Sequence, residues 1–321
     1  MISRNEAADF LRGVDDILIL SHQYPDGDTL GSATALCRGL QKLGKHVMMR
    51  CSDVIGPKFG YLFAGIELQD FTPKVIVAVD IAALQLIGEP NKSLYGDRID
   101  LCIDHHPSNM CFAKQCCVEP KAAATCEVIF DILNLLEVEI DPSMASCLYT
   151  GITTDTGCFK YINVTPTTHR IAATLLEKGA DAHQINRAMF DTKSRARIEL
   201  ERRVMDSIQY FYENRVAVIR ISNQMLRDSG AAEDDIEGLA SIPRSIEGVL
   251  IGVTIREKAD GDSKISLRAT PPRNASEICA AFGGGGHAGA AGCTFHTTMD
   301  EAQEQMLAEI KRYFDLHEQL I

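Results

Sequence analysis

Three short apolar segments that each run into acidic or histidine side chains constrain the fold of this chain more than any other feature. They are Ile17–Leu20, Lys74–Asp80 and Ile99–His106. Stretches with helical spacing separate them, which is typical of βαβ units and a parallel sheet. Because open parallel sheets bind ligands at the carboxyl ends of their strands, the polar side chains that follow should meet at one edge. The sequence therefore predicts an α/β fold with a site at that edge.

Further segments of the first 190 residues fit the same architecture. Another strand is predicted at Lys45–Cys51, and four stretches have the apolar spacing of helices: Ala33–Leu43, Ala123–Glu137, Pro142–Thr153 and Thr165–Gly179. The last of these begins with a threonine suited to the N-cap and a proline at the first helical position. We predict an N-terminal domain over residues 1–190, with a mostly parallel sheet flanked by helices.

The pattern changes after residue 190. Residues 191–212 are rich in charge, and Ser194–Tyr212 has helical spacing, which predicts a helical connector. Residues 213–321 are predicted to form a smaller C-terminal α/β domain around a glycine cluster at 283–292. Its predicted strands and helices are Val216–Ile221, Gly248–Ile255, Lys264–Arg268, Ala275–Phe282 and Asp300–Leu320.

Composition limits the partners and the compartment. The net charge of −12 argues against long duplex nucleic acid, which usually needs a basic surface, and favours a small anionic substrate. Eleven cysteines without any CxxC pair indicate free thiols rather than a disulfide framework. The start of the chain lacks a signal-peptide pattern, and no apolar stretch approaches the roughly 20 residues of a membrane span. We therefore expect a cytoplasmic protein that does not bind membranes.

The loop after the first apolar segment carries an imidazole and two carboxylates. A proline and a glycine interrupt regular structure there, so His22, Asp26 and Asp28 can turn toward one point. The amides near Gly31 and Ser32 are predicted to open the next helix and to offer an anion site. The alternative is a solvated loop in which Asp28 caps that helix.

Further acidic and histidine positions shift the balance toward metal binding. Asp80 and Asp104–His106 end apolar strands, and Asp155 ends a helical stretch. A buried carboxylate must be paired, hydrogen-bonded or metal-bound to offset its desolvation. Oxygen and imidazole donors suit Mn²⁺ or a similar divalent ion, and their number suits two ions rather than one. Neutral core histidines and helix caps are the alternative for any single residue.

The order and spacing of these residues resemble a known family. His22-x-x-Pro25-Asp26-Gly27-Asp28, Asp80, Asp104-His105-His106 and Asp155-Thr156-Gly157 are similar, in order, to the signature of the DHH phosphoesterases. Gly284-Gly285-Gly286-His287 resembles the glycine-rich motif of the DHHA1 domain that accompanies many of them. The resemblance covers nearly the whole chain. It implies an N-terminal DHH domain and a C-terminal DHHA1 domain.

The resemblance implies a role for each matching residue. One metal ion would be bound by His22, Asp26 and Asp80, and a second by Asp28, Asp80, His105 and Asp155. His106 would face the substrate phosphate, while Asp104 would orient the histidines. The residues that would hold the nucleotide are Ser266, Arg268, Gly284, Gly285, Gly286 and His287.

The activity implied by the resemblance is metal-dependent hydrolysis of a phosphoester. The most similar branch of the family acts on short oligonucleotides, including dinucleotides, and on 3′-phosphoadenosine 5′-phosphate. The alternative activity is hydrolysis of other linear or cyclic dinucleotides, such as cyclic di-AMP. With either activity, the protein could form a homodimer. A nucleic-acid-binding module with a decayed site is disfavoured by the full set of metal candidates. Many relatives carry an arginine within the stretch equivalent to Ile81–Leu86, where this chain has only Gln85 as a polar side chain.

Overall fold

A computed structural model describes residues 1–236 and 238–317 of the protein. The chain divides into two compact units, Met1–Thr192 and Lys193–Ile321. None of the described helices is long and apolar enough to cross a lipid bilayer. All eleven cysteines are free thiols, as their irregular spacing predicts.

The first unit is built on a parallel sheet of five strands in the order β2-β1-β3-β4-β5. The strands are β1 (Ile17–Leu20), β2 (Val47–Arg50), β3 (Val75–Val79), β4 (Leu101–Asp104) and β5 (Gln115–Val118). All neighbours pair in parallel, so the carboxyl ends of the strands share one edge. The predicted parallel α/β architecture is confirmed. The edge strand β5 was not predicted, because four residues with two adjacent cysteines give no β-branched or alternating signal.

Helices cover both faces of this sheet. They are α1 (Arg4–Gly13), α2 (Gly27–Lys42), α3 (Asn91–Tyr95), α4 (Thr125–Leu135), α5 (Pro142–Asp155), α6 (Pro166–Glu177) and α7 (Ala182–Asn186). In β1, Ile17 and Ile19 face the core formed with α2, α4 and α5, whereas Leu18 and Leu20 face a second core. Burial on both faces explains why the strands are continuously apolar rather than alternating.

Helix α2 begins six residues before its predicted start. Asp26 is the N-cap, and its carboxylate accepts hydrogen bonds of 3.0 Å from the amides of Asp28 and Thr29. Gly31 and Ser32 therefore lie inside the helix, and both are buried. The predicted anion site at their amides is wrong, and Asp26 rather than Asp28 caps the helix.

Two glycines allow α2 and α5 to pack in close contact. A Cβ atom on Gly31 would lie 2.4 Å from the carbonyl oxygen of Cys147, which is far inside van der Waals contact. A Cβ atom on Gly151 would lie 2.6 Å from Oδ1 of Asp28. This close packing brings Asp155, the last residue of α5, toward the first turn of α2.

The second unit contains a six-stranded sheet in the order β10-β11-β9-β8-β7-β6, in which only β7 and β8 pair in parallel among the described residues. The strands are β6 (Gln209–Phe211), β7 (Val216–Ile221), β8 (Ile251–Glu257), β9 (Ser263–Ala269), β10 (Gly285–His287) and β11 (Ala290–Phe295). Its helices are α8 (Arg195–Asp206), α9 (Asn223–Ser229), α10 (Ala275–Ala280) and α11 (Met299–His317). Helices α10 and α11 cover one face, and α8 packs on part of the other.

Some predicted elements of this unit differ in length. The helix predicted at Ser194–Tyr212 ends at Asp206, because the chain then enters β6 and pairs with β7. The glycine cluster contains β10 and β11 rather than an open loop. Residues 318–320 of the helix predicted at Asp300–Leu320 lie outside the described residues.

The close packing of α2 on α5 leads to a stability prediction. Gly31→Ala should lower the free energy of unfolding by about 1–3 kcal/mol, because the new methyl group must displace the backbone of α5. Gly13→Ala at the end of α1 is the matched control, since nothing lies within 4 Å of its Cβ position. Urea denaturation of both variants measures the effect. Equal stabilities would contradict the proposed role of the close contact.

Candidate active site

The carboxyl edge of the parallel sheet gathers the predicted metal-binding side chains of the first unit. Their ligand atoms form overlapping clusters in which all atoms lie within 4.8 Å of one another. The clusters are His22, Asp26 and Asp80; Asp28, His105 and Asp155; and Asp80, His105 and His106. A further cluster of Asp15, Asp16 and His46 was not predicted and lies apart from these residues in the sequence.

Asp80 stands between the two main clusters. One carboxylate oxygen, Oδ2, lies 3.6 Å from Nε2 of His22, and the other, Oδ1, lies 3.8 Å from Nε2 of His105. The residue is 3% exposed and follows β3 in a left-handed conformation with φ of 58°. Such a backbone is strained for a non-glycine residue and is retained where the surrounding structure requires it. It aims the carboxylate across the end of the sheet.

Backbone carbonyls orient two of the histidines. Nδ1 of His22 lies 2.6 Å from the oxygen of Gln23, and Nδ1 of His105 lies 3.1 Å from the oxygen of Ala122. Because a carbonyl oxygen only accepts, Nδ1 must carry the proton, and Nε2 is left as the ligand atom. In both histidines, Nε2 points at the carboxylates.

The Nε2 atom of His105 shows that these residues fit a metal ion. It is buried and has no hydrogen-bond partner among the described residues, although Oδ2 of Asp155 lies 3.4 Å away and Oδ2 of Asp28 lies 3.9 Å away. A buried polar atom without a partner is costly. A cation between this nitrogen and the carboxylates would satisfy it, and oxygen with imidazole is a donor set that divalent ions prefer.

The carboxylates repel one another in this site. Burial, followed by the charges of Asp80, Asp155 and Asp26, raises the pKa of Asp28 well above its usual value. Burial is also the largest reason why the pKa of Asp155 is raised to about 6, and the charge of Asp80 adds to it. A bound cation would offset both shifts, because its positive charge favours the ionised carboxylates.

His22 differs from the carboxylates, because its raised pKa favours the charged form of the side chain. Burial alone would lower its pKa, but hydrogen bonds and charge interactions with Asp26 and Asp80 raise the pKa of His22 to about 11. The ring therefore holds a second proton on Nε2 at neutral pH without metal. Metal binding must displace that proton.

His106 is held as a cation by Asp104. Its Nδ1 lies 2.8 Å from Oδ1 of Asp104, and this hydrogen bond is the largest reason why the pKa of His106 is raised to about 9. Asp104 is fully buried; burial alone would raise its pKa, but hydrogen bonds from His106 and Asn109 lower it. The imidazolium is 42% exposed, so it can meet an anion from solvent.

Sequence analysis missed three residues that support these carboxylates. The backbone amides of Thr125 and Cys126, at the start of α4, donate to the two oxygens of Asp28 at 2.6 and 2.9 Å. The Thr125 hydroxyl donates to Oδ1 of Asp80 at 2.9 Å. The Asn109 amide donates to Oδ2 of Asp104 at 2.6 Å. The N-terminus of a helix stabilises negative charge, and the predicted helix at Ala123–Glu137 was the available signal.

The residues predicted to bind nucleotide lie together in the second unit. Strand register places Ser266 opposite Gly292, which is opposite Gly285. It also places Arg268 opposite Ala290, which is opposite His287. Directly paired residues share a face of the sheet, so these two rows are neighbours on one face. Gly284 directly precedes β10, and Gly286 lies within that strand.

Family profiles match both units. The DHH family, N-terminal domain, matches residues 16–152, and the DHHA1 domain matches residues 213–315. The chain therefore belongs to the DHH family and carries a DHHA1 domain, which confirms the resemblance drawn from its motifs.

Individual relatives extend over the whole chain. The bifunctional oligoribonuclease and PAP phosphatase NrnA of Thermus thermophilus is 32% identical, covering 95% of this chain and 92% of that protein. The crystal structure of an exopolyphosphatase-related protein from Bacteroides fragilis has a TM-score of 0.87 at 27% identity, covering 98% of this chain and 96% of that one. The exonuclease RecJ bound to manganese has a TM-score of 0.56 at 15% identity, covering 98% and 94%. That last similarity concerns the fold alone.

The raised pKa values predict how metal binding depends on pH. With a pKa of about 6, Asp155 is ionised in only about a tenth of the molecules at pH 5 and in most of them at pH 7. A protonated carboxyl competes with the metal, so Mn²⁺ affinity should rise at least about tenfold from pH 5 to pH 7. Isothermal titration with Mn²⁺ at both pH values measures this rise. An equal affinity would show that Asp155 is not a ligand.

Proposed function

We propose that this protein is a metal-dependent phosphoesterase that hydrolyses short oligonucleotides and 3′-phosphoadenosine 5′-phosphate. The observation that carries the proposal is the pair of His and Asp clusters joined by Asp80, with the unpartnered Nε2 of His105 inside. The similarity to the oligoribonuclease and PAP phosphatase over nearly the whole chain supports this choice of substrates.

We propose a ligand set of six residues for two divalent ions, with Mn²⁺ the preferred metal. One ion would bind His22, Asp26 and Asp80, and the other would bind Asp28, Asp80, His105 and Asp155. When bound, such a pair of ions supplies a hydroxide nucleophile at neutral pH and neutralises charge on the phosphate. The absence of thiolate from the clusters supports a hard or borderline ion.

The chain's own residues would position the ligands and stabilise the reacting phosphate. The His106 side chain is 42% exposed and its Nδ1 is held by Asp104, so its Nε2–H group can donate to a phosphate oxygen as charge develops there. Asp104 in turn accepts from the amide of His105, which couples the orientation of the two histidines. His106 would be the catalytic residue and Asp104 a positioning residue.

We propose that the second unit binds the nucleotide part of the substrate. The residues involved would be Ser266, Arg268, Gly284, Gly285, Gly286 and His287. Glycine amides can approach a phosphate closely, and an arginine can bind it through two nitrogens. The exposure of Gly285, Gly286 and His287 supports this role, because a ligand can reach them. A homodimer and a cytoplasmic location stay predictions, as does the exclusion of long duplexes.

One assay tests the proposal against its alternative. Metal-free protein should regain activity with Mn²⁺ on 3′-phosphoadenosine 5′-phosphate, on a dinucleotide and on a five-nucleotide RNA. Cyclic di-AMP is the fourth substrate, and faster hydrolysis of it would favour the cyclic-dinucleotide alternative. Full activity after exhaustive chelation, with metal confirmed absent by elemental analysis, would contradict the metal-dependent mechanism.

The position of Asp80 leads to a mutational prediction. Asp80→Ala should reduce turnover more than Asp155→Ala, because Asp80 contacts both clusters whereas Asp155 contacts one. Asp80→Ala should also bind fewer than two Mn²⁺ ions per chain. Turnover and metal stoichiometry are measured on the same preparations. Near-normal turnover with two bound ions in Asp80→Ala would show that Asp80 does not bridge.

A further inference from the structure

A polar strip on one face of the second sheet has few protein partners. Thr254 on β8 pairs in register with Ser266 on β9, so their hydroxyl groups share this face. Thr254 is 4% exposed, yet its Oγ1 atom has no hydrogen-bond partner among the described residues. A buried hydroxyl without a partner marks a place where a ligand group is expected.

Arg244 lies next to this strip. Its backbone packs on Gly252, where a Cβ atom would lie 2.8 Å from the Arg244 amide nitrogen and 2.9 Å from Cβ of Pro243. Gly252 pairs in register with Arg268, so the segment that carries Arg244 lies over the strand neighbouring Arg268. The two arginines are therefore close on the same face, and only glycine leaves room for this packing.

Neither arginine is neutralised by a carboxylate among the residues that the structure describes. Across residues 1–236 and 238–317, no ion pair involves Arg244 or Arg268, and Arg268 donates only to the neighbouring carbonyl of Leu267, at 3.2 Å. Burial and then the charge of Arg244 lower the pKa of Arg268, which agrees with two close cations. The chain has 44 acidic residues and 32 basic ones, so the lack of a carboxylate here does not follow from composition.

The chemistry of the strip selects the type of anion. Two guanidinium groups present planar sets of donors that match phosphate oxygens, and hydroxyl groups add further donors. The row continues from Arg268 across Ala290 to His287, the last residue of the glycine-containing strand β10. Arg244 is exposed and Arg268 is half-buried, so a ligand can reach both guanidinium groups.

We propose that Arg244 and Arg268 together bind a phosphate group of the substrate other than the one that is hydrolysed. Arg244 is then a specificity-determining residue that favours substrates with an additional terminal phosphate. This inference rests on the proposed function for the identity of the substrate. It does not depend on that function for the existence of the anion site.

The kinetic test compares two substrates that differ by one phosphate. They are an adenylyl dinucleotide with a 5′-phosphate and the same dinucleotide without it. Arg244→Gln should lower the ratio of kcat/KM values for the two substrates about tenfold, because it removes a charge-assisted contact to the extra phosphate. Arg227→Gln is the matched control, since Arg227 is exposed on α9 and contacts Gln224. An unchanged ratio in Arg244→Gln would overturn the proposal.

A binding measurement separates this proposal from the proposed function. Metal-free protein in the presence of chelator is titrated with 3′-phosphoadenosine 5′-phosphate. The Kd should rise about tenfold in Arg244→Gln and stay at the wild-type value in Arg227→Gln. If the wild-type protein hydrolyses neither dinucleotide, the proposed function fails, but the titration still decides the role of Arg244. Equal Kd values in Arg244→Gln and the wild type would refute the two-arginine site.

Discussion

The mutual repulsion of buried carboxylates at the end of the parallel sheet is the constraint on which the rest of the first unit depends. Asp28 and Asp80 are almost fully buried, and burial together with the charge of Asp80 increases the cost of ionising Asp28. The amides at the start of α4 and the nearby histidines offset only part of that cost. A cluster of this kind is stable and ionised at neutral pH when cations occupy it. The electrostatics of the metal-free fold thus require a cation if the carboxylates are all to be ionised.

The placement of the ligands follows from backbone features rather than from side-chain packing. Close contact at Gly31 and Gly151 sets the distance between α2 and α5, and with it the distance between Asp28 and Asp155. The left-handed backbone at Asp80 turns its carboxylate across the sheet edge. Backbone carbonyls fix which nitrogen of His22 and of His105 faces the carboxylates. Rigid elements therefore hold the candidate ligand atoms close together in the metal-free protein.

The sequence predicts the strand-end residues well because an acidic residue directly after a buried apolar run is a strong and unusual signal. It predicts the start of α2 poorly, since glycines at 27 and 31 are typical of loops. Only the packing of α2 on the neighbouring helix explains why glycines lie within it. The backbone amide of Thr125 donates to Asp28, and any residue type has an amide. Asn109 contacts Asp104 through a turn that carries no pattern. These contacts depend on tertiary structure, so residue spacing alone does not reveal them.

The two units handle charge in opposite ways, and this difference explains how an acidic protein can bind an anionic substrate. In the first unit, the clusters hold more carboxylates than histidines, which favours a cation that can in turn attract phosphate. In the second unit, Arg244 and Arg268 have no carboxylate partner in the described part of the chain, so the protein itself supplies positive charge. A net charge of −12 repels long polyanions at a distance, whereas each local site is favourable for one phosphate. Selection for short substrates can thus arise from electrostatics before any steric limit acts.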